Sequence, residues 1–235
     1  MNASSCDVAI VGGGIIGLSC ALYLREAGHD VVVVERNDPA SGASRGNAGA
    51  LAFAEILPLA SPRIIRKAAR WLFDPLGPLS LPPAYLPRIA PWLLRLWRAS
   101  WPSHYQANIQ AQVALIGLAQ EEMLTMLART GLDRHLHTEG VLEVYEGANR
   151  FAAAQETARQ RLIYGIESQP VQGDELAALQ PGLAPRFTHG MLVPRWRNVD
   201  DPQSLAVDIG LRAQALGARL LRREVRAVEP GTEGG

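Results

Sequence analysis

The sequence predicts an α/β fold in which a parallel βαβ unit is opened by a long, mostly helical insertion and rejoined near residue 218. Three observations predict it. A β-rich run, a glycine turn, a helix and a second β-rich run follow one another within residues 7–35. No third strand arrives within the roughly 2–6 residues that usually join such elements; the next candidate is Ala218 to Val228. Of 235 residues, 48% are hydrophobic and 20% charged, which fits one large or two interleaved globular domains and excludes a disordered or fibrous chain.

Charge and cysteine usage exclude further classes. Lys plus Arg and Asp plus Glu both total 23, so no global basic field exists to hold nucleic acid. Cys6 and Cys20 show no CxxC spacing, which suggests neither a disulfide framework nor a metal site and favours a reducing, cytoplasmic compartment. The N-terminus has no basic stretch ahead of its short apolar run, so no signal peptide or membrane span is expected and the mature protein is expected to begin at Met1.

Asp7 to Val11 reads as a central parallel strand buried on both faces. Gly12-Gly-Gly-Ile-Ile-Gly17 satisfies G-x-G-x-x-G, and Leu18 to Ala27 reads as a helix closed by Gly28 at C′. Asp30 to Val34 forms the second strand, ending in Glu35. In a Rossmann-type unit, Gly12, Gly14 and Gly17 let the backbone turn and approach a pyrophosphate, which the N–H groups around Ile15 and Ile16 favour at the helix N-terminus. Glu35 stands where a carboxylate accepts from an adenosine ribose and repels a 2′-phosphate, which disfavours NADP. The long insertion after Glu35 favours FAD over NAD.

Val8 to Ala52, with its glycine motif, Glu35-Arg36 and Ser44-Arg-Gly-Asn-Ala-Gly49, resembles the D-amino-acid oxidase superfamily of FAD enzymes, bacterial D-amino-acid dehydrogenases above all. Asp201-Pro202 through Glu224-Val225 is similar to the same family's return into its FAD domain. The resemblance implies a glutathione-reductase-like FAD-binding fold with an inserted α+β substrate domain. Residues 1–55 would form the first βαβ unit and flavin loop, 56–195 the insertion, and 196–235 the returning helix and strand. It places Glu35 and Arg36 at the adenosine, Ser44, Asn47, Ala48, Gly49 and Ala50 along the pyrophosphate and flavin, and the Val225 backbone at the adenine. Family members continue well past this point, so the chain is expected to be the N-terminal part of a longer enzyme.

The middle of the chain is helical. Between Ser61 and Trp101 lie seven basic residues, one acid and four of the five tryptophans. Ser61 can cap a helix carrying Arg63, Arg66, Lys67 and Arg70 as one stripe, with Ile64, Ile65, Ala68, Trp71 and Leu72 opposite. A second helix aligns Ile89, Trp92, Leu93, Leu96 and Trp97, with Arg88, Arg95 and Arg98 outside that stripe. Two readings stand: packing into the inserted domain, which is what such stripes ordinarily do, or peripheral contact with an anionic membrane. Further on, a long helix capped by Ser103 runs to Thr130. Val141 to Tyr145 and Gly190 to Pro194 read as strands, Phe151 to Tyr164 and Asp174 to Gln180 as helices, and Asp201 caps a helix ending at Gly217. His135 and His137 read as solvated histidines, and Cys20 as helix packing.

The resemblance implies oxidation of the CH–NH2 group of D-amino acids to 2-oxo acids and ammonia, with hydride passing to flavin and electrons to a quinone or other respiratory-chain acceptor. Peripheral placement on the inner face of the plasma membrane follows from the same source. No catalytic residue is assigned, because the family's substrate strands lie beyond residue 235. Two alternatives remain: a sibling amine oxidase acting on glycine, sarcosine or proline-type substrates with O2, and a catalytically incomplete fragment that only binds nucleotide or a partner such as its C-terminal half. The isolated chain is expected to be inactive.

Overall fold

Val8–Val11 (β1), Ile15–Glu26 (α1) and Val31–Glu35 (β2) open the computed structural model, which describes residues 5–62 and 83–229. The chain divides into two contact units, residues 1–51 with 124–139 and 197–235, and residues 52–123 with 140–196.

In the first unit, β1, β2 and Arg219–Arg222 (β9) form a parallel sheet with β2 in the middle. The first three residues of β2 are buried, whereas β1 alternates half-buried and exposed. Among the described residues β1 is therefore not buried on both faces as expected; its described partner is β2, and continuous apolar character alone does not fix burial. α1 begins at Ile15, earlier than expected, because Ile15, Ile16 and Gly17 already belong to its first turn. Gly28, at φ +91°, closes it as C′.

The returning helix, Pro202–Ala215 (α6), has Asp201 as its N-cap, whose carboxylate accepts from the N–H groups of Gln203 and Ser204 at 3.2 and 3.0 Å. α6 lies beside α1, so close that a Cβ at Gly210 would come within 3.1 Å of Leu18. Leu18, Ala21 and Leu22 share the buried core of this unit with Leu205 and Ile209. Cys20 sits on the other side of α1 and is exposed, contrary to the packing role read from the sequence. β9 ends at Arg222, so the expected strand to Val228 is irregular from residue 223.

A second, antiparallel sheet in this unit places Arg197–Val199 (β8) between Ala50–Leu51 (β3) and Leu136–His137 (β4). Residues 124–139 thus associate with the first unit although they fall within the expected insertion. Their anchors include Arg129 on Glu26 at 2.7 Å and Arg134 and His135 on Asp208 at 2.5 and 2.8 Å. His135 is therefore paired, not solvated, and the His137 ring bonds Asp200. Such partners are more than 60 residues away in sequence, beyond the reach of local pattern.

In the second unit, Phe187–Val193 (β7) is flanked by Val141–Glu146 (β5) and Gln169–Gln172 (β6), all antiparallel. The helices are Leu86–Ala99 (α2), most of Pro102–Thr130 (α3), Gly147–Leu162 (α4) and Gly173–Leu179 (α5). Ala54, Ile56, Ile166, Met191 and Val193 form its buried cluster. Ser103 lies inside the first turn of α3, with Pro102 as the first residue, instead of at the cap. Arg161 is buried and meets Glu55 and, at 3.5 Å, Glu143. Tyr145 donates to Glu143, and burial followed by that hydrogen bond pushes its hydroxyl pKa upward. The helix expected from Ser61, with Arg63, Arg66, Lys67 and Arg70, lies beyond Pro62 outside the described residues.

Candidate dinucleotide site

The turn between β1 and α1 separates two kinds of glycine. Gly13 and Gly17 are required by packing, since a Cβ at Gly13 would stand 2.9 Å from the Glu35 side chain and one at Gly17 only 2.0 Å from the Gly12 carbonyl oxygen. Gly12 and Gly14 instead leave open surface. Among the described residues, a Cβ at Gly12, whose φ is +108°, would meet nothing within 4 Å, and one at Gly14 would meet only Ser44 Oγ at 3.4 Å. A backbone stripped of side chains on its outer side can approach a diphosphate closely.

The helix beyond this turn presents its N–H groups to the same space. Gly14 provides no side-chain cap; instead the buried Ser44 accepts at 3.0 Å from the N–H of Ile15, which lies 29 residues before it. The N–H groups of Ile16 and Gly17 are left without an intrahelical partner, and the helix dipole adds to their attraction for an anion.

Glu35 fixes the other side. Its carboxylate accepts from the backbone N–H groups of Gly13 and Asn37 at 2.8 and 2.9 Å. The Asn37 and Gly13 N–H groups hold its pKa below the ordinary value, so it is an anion at neutral pH. Beside it opens a cleft of about 230 Å³ lined by Val11, Gly12, Val34, Glu35, Arg36 and residues 223–225. The structure brings Glu35, Arg36 and Val225 together here.

Asn47, Ala48, Gly49 and Ala50 gather in a separate recess with Ile15, Leu51 and the start of α6. Asn47 Oδ1 accepts from the Gly49 N–H at 2.9 Å, and Gly49 adopts φ +66°. A Cβ at Gly49 would sit 2.5 Å from the Val199 carbonyl oxygen, so glycine is needed for β8 to pass. Gly13, Val11 and Arg223 were not singled out from the sequence. Gly13 carried a usable signal as the middle glycine of three, whereas Val11 and Arg223 become site residues only once β2 and β9 pair.

The open glycine backbone, free helix N–H groups and a carboxylate beside a partly apolar cleft fit the ADP portion of a dinucleotide cofactor. Residues 7–235 match the DAO family, described as FAD dependent oxidoreductase, and the chain belongs to that family. The chain is 28% identical over 228 residues to a D-amino-acid oxidase of Bradyrhizobium diazoefficiens, covering 94% of this chain and 53% of that protein. It is 32% identical over 178 residues to a D-amino acid dehydrogenase of Neisseria meningitidis serogroup C, covering 75% of this chain and 43% of the other. The fold is similar to that of glycine oxidase from Geobacillus kaustophilus, with a TM-score of 0.57 at 23% identity, over 92% of this chain and 46% of that one. The family's cofactor is FAD, and the chain spans about half the length of the relatives it matches.

Proposed function

We propose that the chain is the FAD-binding part of an enzyme that oxidises D-amino acids to 2-oxo acids and ammonia and delivers the electrons to a quinone or another respiratory-chain acceptor. One observation carries the cofactor half of this reading: the unblocked Gly12–Gly14 backbone faces the same space as the free N–H groups of α1. The names of the relatives support the substrate half. When bound, the flavin accepts the hydride that leaves the substrate α-carbon. The residues of this chain bind and orient: Gly12, Gly14, Ile15, Ile16 and Gly17 take the pyrophosphate, Glu35 and Arg36 the adenosine, and Val225 the adenine through its backbone. Ser44, Asn47, Ala48, Gly49 and Ala50 are assigned to the pyrophosphate and flavin. Residues 52–123 and 140–196 contribute the inserted substrate domain.

The test is turnover by the chain joined to the C-terminal half of a relative, with D-alanine, glycine, sarcosine or proline as substrate and O2 or an artificial dye as acceptor. D-Alanine-dependent dye reduction is expected. Oxygen consumption with glycine, sarcosine or proline points to a sibling amine oxidase, and bound flavin without turnover to a nucleotide-binding module. The 235-residue chain alone is expected to be inactive.

Peripheral membrane contact is a second element of the proposal, and α2 favours it. This amphipathic helix has no buried residue; Trp92 and Trp97 are about half exposed, at 50% and 47%, beside Leu94 and three exposed arginines. Residues 83–120 contain no acidic side chain. Aromatic and basic side chains on one uncovered helix suit an anionic lipid surface on the cytoplasmic face. Salt-sensitive sedimentation with anionic but not neutral vesicles is expected, and equal binding to both or neither removes this element.

A further inference from the structure

The carboxyl ends of β2 and β9 bring together two arginines that differ from their neighbours. Arg219 pairs with Asp30 at 2.7 Å and Arg222 with Asp38 at 2.9 Å. Arg36 and Arg223 both line the cleft beside Glu35; the Arg36 charge acts on the Glu35 carboxylate, whereas Arg223 makes no ion pair and no side-chain hydrogen bond among the described residues. Arg223 is placed by its backbone: the ladder pairs Glu35 with Arg222, and the Arg223 N–H extends it by donating to the Glu35 carbonyl at 2.9 Å.

The rest of the cleft lining indicates what a guanidinium at this place would meet. Its apolar lining is Val11, Val34 and Val225, with Val11 62% exposed at the end of β1, where a strand residue would ordinarily be covered. Glu35 and Glu224 stand at the same rim. Two carboxylates and a valine floor are unsuited to a phosphate, whereas a flat heteroaromatic base gains from both an apolar surface and a guanidinium over its face.

The geometry points to Arg223 as an adenine-binding residue whose guanidinium stacks on the base lying against Val11 and Val225. The inference rests on the FAD reading and deepens it, giving the β9 end a side-chain contact with the base in addition to the backbone of Val225. Arg223 serves affinity for adenine nucleotides, and Glu35 serves the ribose.

The experiment is calorimetric titration of the full chain with ADP, and separately with inorganic pyrophosphate as a probe lacking the base. For Arg223→Ala, ADP is expected to bind about 3- to 30-fold more weakly, the range of a cation–π contact, with pyrophosphate affinity unchanged. Arg223→Lys, which keeps the charge but loses the plane, should fall between. Melting temperatures of the variants, measured in parallel, should match the parent. Unchanged ADP affinity in Arg223→Ala overturns the inference, and so does equal weakening of both probes, which would make Arg223 a general phosphate attractor. A parent chain that binds neither probe defeats the nucleotide site itself and this inference with it. Parent binding with an indifferent Arg223→Ala defeats the inference alone.

Discussion

Glu35 Oε2 accepts the backbone N–H of Gly13 at 2.8 Å, joining the end of β2 to the glycine turn that follows β1. This bond shapes the turn and at the same time poises a carboxylate at the cleft lined by Val11, Arg36 and residues 223–225. The Asn37 and Gly13 N–H groups stabilise the anion, so the folded-state pKa of Glu35 lies below its ordinary value of 4.5.

The sign of the pH dependence follows. A depressed carboxylate pKa contributes stability that is present above the ordinary value and is lost as pH falls through the folded value. Thermal melts between about pH 3 and 6 should show an acid limb for the parent that is reduced in Glu35→Gln; identical limbs would remove Glu35 from the account. At neutral pH, Glu35→Ala should weaken ADP by roughly 1.5–3 kcal/mol, the scale of hydrogen bonds to a charged group, as read by calorimetry.

Ser44→Ala removes the acceptor for the Ile15 N–H at the start of α1. A lost helix cap costs about 1 kcal/mol. Urea unfolding should show a lower midpoint with the same slope, and an unchanged midpoint would mean that solvent replaces the hydroxyl fully.

Gly17→Ala should be far more damaging than Gly14→Ala. The first places a methyl 2.0 Å from a backbone oxygen, and the second meets only a hydroxyl at 3.4 Å. A loss of about 3 kcal/mol or more is expected for Gly17→Ala, against a fraction of that for Gly14→Ala. Equal urea midpoints would contradict the tight packing of α1 on its turn.

Arg161→Ala leaves Glu55 and Glu143 without their shared cation. Breaking a buried pair costs about 3–5 kcal/mol, and the partial exposure of both carboxylates puts the expectation near about 3 kcal/mol. Arg161→Met, which restores apolar volume without the charge, should recover part of that loss in the same unfolding experiment. Recovery of nothing would show that the ion pairs, and not the filled volume, hold α4 to β5.

The elements legible in the sequence were those whose signals are local. The glycine turn, Gly28 and the Asp201-Pro202 helix start each announce themselves within a few residues, through backbone freedom or capping chemistry. Long-range partners were not legible. Ser44 reaches Ile15, Asp208 reaches His135, and Glu55 reaches Arg161 across 29, 73 and 106 residues, and no spacing rule connects them. The same limit hid the association of residues 124–139 with the first unit. The motif glycines and Glu35 could be picked out by pattern, whereas the place of Arg223 beside Glu35 follows only from the parallel register of β2 and β9.

The most direct test of the account is titration of the chain with ADP before and after Gly14→Val, with the melting temperature followed in both. A valine at this open position should fill the space of the pyrophosphate while Ser44 and α1 keep their places. One saturable ADP site, displaced by FAD, is expected in the parent, and loss of that site is expected in a variant that still melts cooperatively. ADP binding of parental strength in Gly14→Val would contradict it.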